Sequence, residues 1–337
     1  MMGCQDSLTC PEEGRPNALD ALPPPRASRP HSSWRRCAPP TTPEPLDSLG
    51  WAMDLLHWIA EPPALRHPVL LVALEGFVDA GSVASSAAMF LRHRWQSEPV
   101  ARFDRDAFLD YRARRPTADV DSGCIRRLEW PDLELLAAQV PQAEHDGLLL
   151  IGPEPDMRWT SWIEQVCGLA ERFGVTYAIS LGAYPAAAPH TRPVSIVAAE
   201  NAAAEGLAPS VPRVKSYTGP VGADLALHTA FAERGLPSVG LWAEVPHYIA
   251  TNPYPPGSLA MVQLLARLLD VDVDTAELES AASLHREQVD EAVADSEEAT
   301  EVVQALEAHA DSGDGDDEEL PTGEDLAKEI ERYLREE

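Results

Sequence analysis

A chain of 337 residues, 45% of them hydrophobic, is long enough for one large domain or two small ones and can bury a sizeable core. Its formal charge of -29 at pH 7 argues against nucleic acid and anionic membrane surfaces as targets, since both carry the same sign. No apolar run approaches the ~20 residues of a membrane-spanning helix, and MMGCQDSLTCPEEGR lacks the basic start and apolar middle of a signal peptide.

The first segment, to about Leu49, is rich in Pro, Ser and Thr, as in PPPRASRP and CAPPTTPEP. It cannot bury enough surface to offset its ordering entropy. Met53 opens a more orderly stretch, and a natural start at or near it is expected. Five cysteines, Cys4, Cys10, Cys37, Cys124 and Cys167, include no C-x-x-C pair, which fits a reduced, cytoplasmic protein.

From Pro68 to about Asp270 buried strands and helices alternate. VLLVAL (69–74) is an apolar run of strand length, and a glycine turn leads into an alanine-rich helix from Ala80 to about Arg94. PVARFD and CIRRLEW read as strands, separated by DYRARRP, whose Arg112, Arg114 and Arg115 read as a solvated loop or helix end. GLLLIG is another buried strand. After it, Trp159, Ile163, Val166, Ala170 and Phe173 recur at helical spacing up to Gly174. VTYAISLGAY and RPVSIVAA are strands, GADLALHTAFAERG a helix, LPSVGLWAE a strand and SLAMVQLLARLL an amphipathic helix. Apolar strands alternating with helices predict a three-layer α/β/α domain with a mostly parallel sheet.

The remainder is acidic: about three quarters of the net charge lies after Leu269. The predicted organisation is a tail over 1–52, the α/β/α domain over 53–270, an acidic helical extension over 271–310, an acidic linker over 311–320 and a short last helix over 321–337. The acidic helices either pack on the parent domain or dock a basic partner.

The turn EGFVDAG is the first place to look for chemistry. It has neither G-x-G-x-x-G nor a P-loop, and it supplies Glu75 and Asp79 where a phosphate needs bare N–H groups. Asp79 is expected to cap the following helix. The ordered histidines, His145, His190, His228 and His247 among them, show no metal-ligand spacing, and no nucleophile motif is present. Neither a catalytic residue, a metal nor a cofactor is therefore assigned. Loops at the carboxyl ends of strands line the usual crevice of an open α/β sheet. Glu75, Asp79, Lys215, His247, Tyr248, Asn252 and Tyr254 are the candidate binding residues there. The alternative is that these side chains satisfy turn backbones while prolines stiffen the connections.

LEGFVDAGSVASSAA, LLLIGPEPDMRW and VPHYIATNPYPPGSLAMVQLL, in this order, resemble the proteasome assembly chaperone family, second type, in its bacterial branch. The resemblance covers roughly Val69 to Leu269, and the acidic extension is similar to that of actinobacterial members. It implies a phosphorylase-like α/β/α fold, a tendency to form homo-oligomers, and protein partners such as proteasome subunits. Eukaryotic relatives insert a tail with a penultimate-region tyrosine into pockets of the ring; here Leu-Arg-Glu-Glu follows Tyr333, so that docking mode does not transfer. The leading expectation is a non-catalytic, assembly-chaperone-like binding protein. The alternative is a small-molecule enzyme, an ATP-grasp-type carboxylate–amine ligase or a hydrolase, using the strand-end crevice. The small residues Ala80, Ala84, Ala87 and Ala88 allow close packing, inside the fold or against another copy.

Overall fold

Six consecutive apolar residues, VLLVAL (69–74), form the centre of the molecule, because a strand buried on both faces has no polar side to present. The computed structural model describes residues 55–121, 124–204 and 206–312. The expected tail through residue 52, the linker beyond Ser312 and the closing helix lie outside them. The strands are β1 (Leu56–Trp58), β2 (Val69–Glu75), β3 (Glu98–Phe103), β4 (Thr117–Asp121), β5 (Cys124–Glu129), β6 (Glu134–Ala138), β7 (Gly147–Pro153), β8 (Tyr177–Ala186), β9 (Ile196–Glu200) and β10 (Ser238–Pro246). The helices are α1 (Val83–Arg94), α2 (Arg105–Phe108), α3 (Trp159–Phe173), α4 (Ala223–Glu233), α5 (Pro255–Leu268), α6 (Ala276–Ala294) and α7 (Glu297–Ser312).

Eight strands make one mixed sheet in the order β1-β3-β6-β7-β2-β8-β10-β9. The four central strands β7, β2, β8 and β10 run parallel, and the flanking ones are antiparallel. Alternate side chains of β2 point to opposite layers. Val69, Leu71 and Ala73 meet α1 and α5, with Ala84, Ala87, Met261 and Leu265. Leu70, Val72 and Leu74 meet α3 and α4, with Trp162, Leu227 and Phe231. The domain is a three-layer α/β/α sandwich, and α6 and α7 follow it at the C-terminal side.

The alanine face of α1 is turned inward: Ala84, Ala87 and Ala88 are at most 1% exposed. A Cβ at Gly257 of α5 would lie 2.6 Å from the Val83 side chain, and the Ser258 hydroxyl donates to the Val83 carbonyl at 3.2 Å. Small residues therefore bring α1 and α5 together within the fold.

The structure departs from expectation in three places. The helix expected from Ala80 starts as a 3-10 turn, Ala80–Ser82, with Gly81 and Ser82 at positive φ, and becomes α-helical only at Val83. The acidic helical extension expected over 271–310 is two helices, divided at Asp295 and Ser296. CIRRLEW does form a strand, but β5 pairs with β4 in a separate two-stranded ribbon instead of joining the main sheet.

Candidate functional site

Four parallel strands deliver their carboxyl ends to one side of the molecule, so the loops after β2, β7 and β10 and the loop before α4 are neighbours there. Glu154 ties three of them. Its Oε1 accepts from the Ala223 N–H at 2.7 Å, at the start of α4, and its Oε2 from the Phe77 N–H at 3.4 Å. Gly76 and Gly222 line this carboxylate closely: a Cβ would fall 2.9 Å and 3.3 Å, respectively, from its oxygens.

Asp79 caps the first long helix. Its Oδ1 accepts from the N–H groups of Ala84 at 2.8 Å and Ser85 at 3.2 Å. Burial pushes its carboxyl up to about 6, against those hydrogen bonds and with a further upward push from the Glu75 charge. The turn is also locked to the loop after β10: Gly81 N–H donates to the Ala250 carbonyl, and Tyr254 N–H donates to the Gly81 carbonyl, both at 2.8 Å.

The sign of this shift makes a prediction. A folded-state value above the unfolded one means that the native state holds a proton the unfolded chain has released. Asp79 therefore lowers stability progressively as pH rises from about 4 to about 6. Asp79→Asn keeps an acceptor for the Ala84 and Ser85 amides and removes the titration. Urea unfolding should show the variant more stable than wild type by about 1–2 kcal/mol at pH 7.5, after allowing for partial solvent access, and nearly equal at pH 4. A difference independent of pH would contradict the assignment.

The other candidates divide into two groups. Tyr248 and Tyr254 lie beneath the C-terminal helices. The Tyr248 hydroxyl accepts from the His190 N–H at 2.8 Å and lies 2.6 Å from its Nδ1, while His190 Nε2 is 3.0 Å from Asp290 of α6. Tyr254 is 3% exposed and meets the ring of His285 edge-on at 5.5 Å. Glu75, Lys215, His247 and Asn252 are exposed. His247 reaches the Ala186 carbonyl through Nδ1 at 3.3 Å, and Asn252 N–H donates to the Ile249 carbonyl. The turn around Gly81 and the 250–254 segment are thus brought together, largely through backbone groups.

Sequence reading passed over a buried polar network beside this site. His228 of α4 joins Ser180 of β8 through Nε2 and Ser238 of β10 through Nδ1, both at 2.7 Å. Asn201 donates to the Ser238 hydroxyl at 2.8 Å, and Asp224 Oδ2 accepts from Ser180 at 3.5 Å. Serine, histidine and aspartate together suggest a nucleophilic triad, but the order of contacts is wrong. A triad carboxylate orients the imidazole through Nδ1; here a serine hydroxyl holds that position. His228 is 6% exposed, and burial depresses its pKa to about 4. Burial, aided by the Glu154 charge, raises Asp224 to about 6. The group serves as a polar tie between α4 and two central strands. Residues 44 and 48 apart in sequence carry no local signal of such a meeting.

Among the described residues, no cluster of three or more His, Cys, Asp or Glu side chains is placed to hold a metal ion. A cavity of about 10 Å³, bordered by Val69, Trp95, Val140 and Leu269, lies at the opposite, amino ends of β2 and β7. It has room for about one water. Large apolar side chains stand exposed at the strand-end loops instead: Phe77 at 62%, Tyr217 at 44%, Met157 at 41% and Val221 at 40%.

The sequence profile of the PAC2 family matches residues 73–293. A Mycobacterium tuberculosis protein of unknown function is 35% identical and superposes with a TM-score of 0.72, covering 77% of this chain and 91% of its own. A proteasome-assembly chaperone homologue from the same organism is 32% identical, with a TM-score of 0.64 over 70% of this chain and 99% of its own. A PAC2 family protein from Streptomyces avermitilis is 35% identical, with a TM-score of 0.63 over the same shares. No curated protein matches.

Proposed function

This chain belongs to the PAC2 family, and from that premise we propose that it is a non-catalytic, assembly-chaperone-like protein of the cytoplasm that binds proteasome-type ring subunits. The supporting observation is the character of the strand-end surface. Two of its carboxylates, Asp79 and Glu154, are engaged by backbone amides, while Phe77, Met157, Tyr217 and Val221 offer apolar surface to solvent. Exposed apolar side chains grouped in one region mark protein contacts. The similarity to a structure described as a proteasome-assembly chaperone homologue gives the class of partner.

Phe77 is the test residue, because its side chain contributes surface and little core. The tagged full-length chain, expressed in its source organism, should recover proteasome α or β subunits well above a tag-only control. Phe77→Asp should reduce that recovery at least tenfold, with a melting temperature within about 2 °C of wild type, as expected for an exposed site. Recovery of proteasome subunits by the wild-type chain no greater than by the tag-only control, or a saturable rise in melting temperature with ATP and Mg²⁺, would overturn the proposal. The second result would favour a ligase.

A further inference from the structure

The segment after α2 folds back on the loop after β7. Asp110 N–H donates to Asp156 Oδ2 at 2.8 Å, and Arg114 Nε lies 3.5 Å from Asp156 Oδ1. The N–H groups of Asp156 and Met157 both donate to the Phe108 carbonyl. The loop after β2 joins them, since a Cβ at Gly76 would lie 3.2 Å from Arg114 Nη2. Phe77, Arg115, Met157 and Arg158 each lie within two residues of these contacts. One small surface thus holds two large apolar side chains and two arginines, all four exposed.

The neighbouring acids are mostly engaged. Asp156 faces Arg114, Asp110 accepts from Arg112 through both oxygens, and Asp79 and Glu154 accept from backbone amides. The guanidinium groups of Arg115 and Arg158 make no ion pair among the described residues. Against them stands the exposed carboxylate of Glu75. Arg158 sits at a φ of +58°, which residues with a side chain adopt infrequently. Its carbonyl accepts from the Trp162 N–H at 3.0 Å in the first turn of α3. The backbone that presents Met157 and Arg158 is therefore fixed before any partner arrives, which lowers the ordering cost of contact.

We propose that this surface receives an acidic, apolar segment of a partner protein, with carboxylates on Arg115 and Arg158 and apolar side chains over Phe77 and Met157. The inference rests on reading the strand ends as a protein-contact surface, and adds the chemistry of what is bound. Charge complementarity selects the occupant. A chain of net charge -29 has acids enough to pair every arginine, and most arginines of the described residues have one. These two do not, and they flank exposed apolar side chains. A guanidinium fork takes a carboxylate in a two-point contact, and apolar neighbours exclude water around it. A basic segment would meet like charges. Nucleic acid would leave Phe77 and Met157 without an apolar counterpart.

Fluorescence anisotropy on the full-length protein tests it, with a labelled probe peptide of alternating glutamate and leucine. The probe should bind saturably. Arg115→Glu combined with Arg158→Glu should weaken it at least tenfold with an unchanged melting curve, both sites being exposed. Phe77→Asp should weaken it comparably. Raising salt from about 50 to about 500 mM should also weaken it, because exposed charges are screened. A peptide with lysine in place of glutamate should not bind. Absence of saturable binding, binding untouched by the arginine reversals, preference for the lysine peptide, or equal binding of an oligothymidylate would overturn the proposal. Recovery of ring subunits tells the two readings apart. If Phe77→Asp abolishes that recovery and the double reversal leaves it intact, the chaperone assignment stands and the acidic segment falls. If the probe binds through the arginines while wild type recovers no ring subunit, the acidic segment stands and the assignment falls.

Discussion

Replacing Gly152 by alanine should destabilise the protein by about 2–5 kcal/mol, a large part of the roughly 5–15 kcal/mol that holds a typical domain folded. Gly152 sits at the end of β7 with φ of +139°, a conformation that side chains avoid. A Cβ there would lie 2.3 Å from the Asp132 carbonyl oxygen and 2.8 Å from the Leu133 Cα. Both are backbone atoms, so no flexible side chain can move aside. The crossing also sets the entry to β6, where the Leu133 carbonyl accepts from Phe103 N–H of β3. Gly168 supplies the control. It lies exposed in α3 with nothing within 4 Å of its added Cβ, so Gly168→Ala should stabilise by about 0.5–1 kcal/mol. Urea unfolding of the two variants should move in opposite directions, and a Gly152→Ala midpoint at the wild-type value would refute the account.

Trp162→Ala should cost about 3–5 kcal/mol, the range for removing a large aromatic side chain from a packed core. The side chain is fully buried, at 0% exposed, in the layer between α3 and the sheet. Its indole N–H has no hydrogen-bond partner among the described residues. Trp162→Phe keeps much of the volume and removes that unpaired donor, and should cost less than about 2 kcal/mol. Denaturation of both variants measures the contrast. Equal losses would refute this account, since Phe retains most of the buried ring volume.

The layers were legible wherever a segment's own pattern decides its state. VLLVAL and GLLLIG are too apolar and too short for anything but buried strands, and they became β2 and β7. β6 was not legible. ELLAA is built of residues that favour helices and shows no alternation, so it is a strand only because β3 and β7 pair with it on either side. The apolar stripe of α3 was read in part: Val166 and Ala170 are buried, and Ile163 and Phe173 pack against the same core, but two of its most buried members were missed. Trp162 and Leu169 are at its centre, and Trp159, expected there, sits at the margin where its Nε1–H reaches the Pro155 carbonyl at 2.6 Å. Helical period fixes which residues share a face, but not which of two tryptophans is drawn to the centre and which finds an acceptor at the margin.

At the strand ends the cap formed by Asp79 follows from its place before a helix, since the interaction is local. Glu154 and the His228 network bind residues dozens of positions apart, and only the closed sheet brings them together. Loop composition therefore revealed where the chain turns, but left unseen which carboxylate ties the loops to one another.

The two acidic helices are woven into the body they follow. Arg192, from the loop before β9, grips Glu307 and Asp311 of α7, and His190 meets Asp290 of α6. Leu278 of α6 packs on the core layer that holds Leu265, Leu269 and Val271. Cutting the chain after Leu269 would strip a hydrophobic cover at the same stroke as it removes negative charge. To ask what the acidity does, the carboxylates that face solvent have to be neutralised one by one in an intact molecule, leaving Asp290, Glu307 and Asp311 in place as its fastenings.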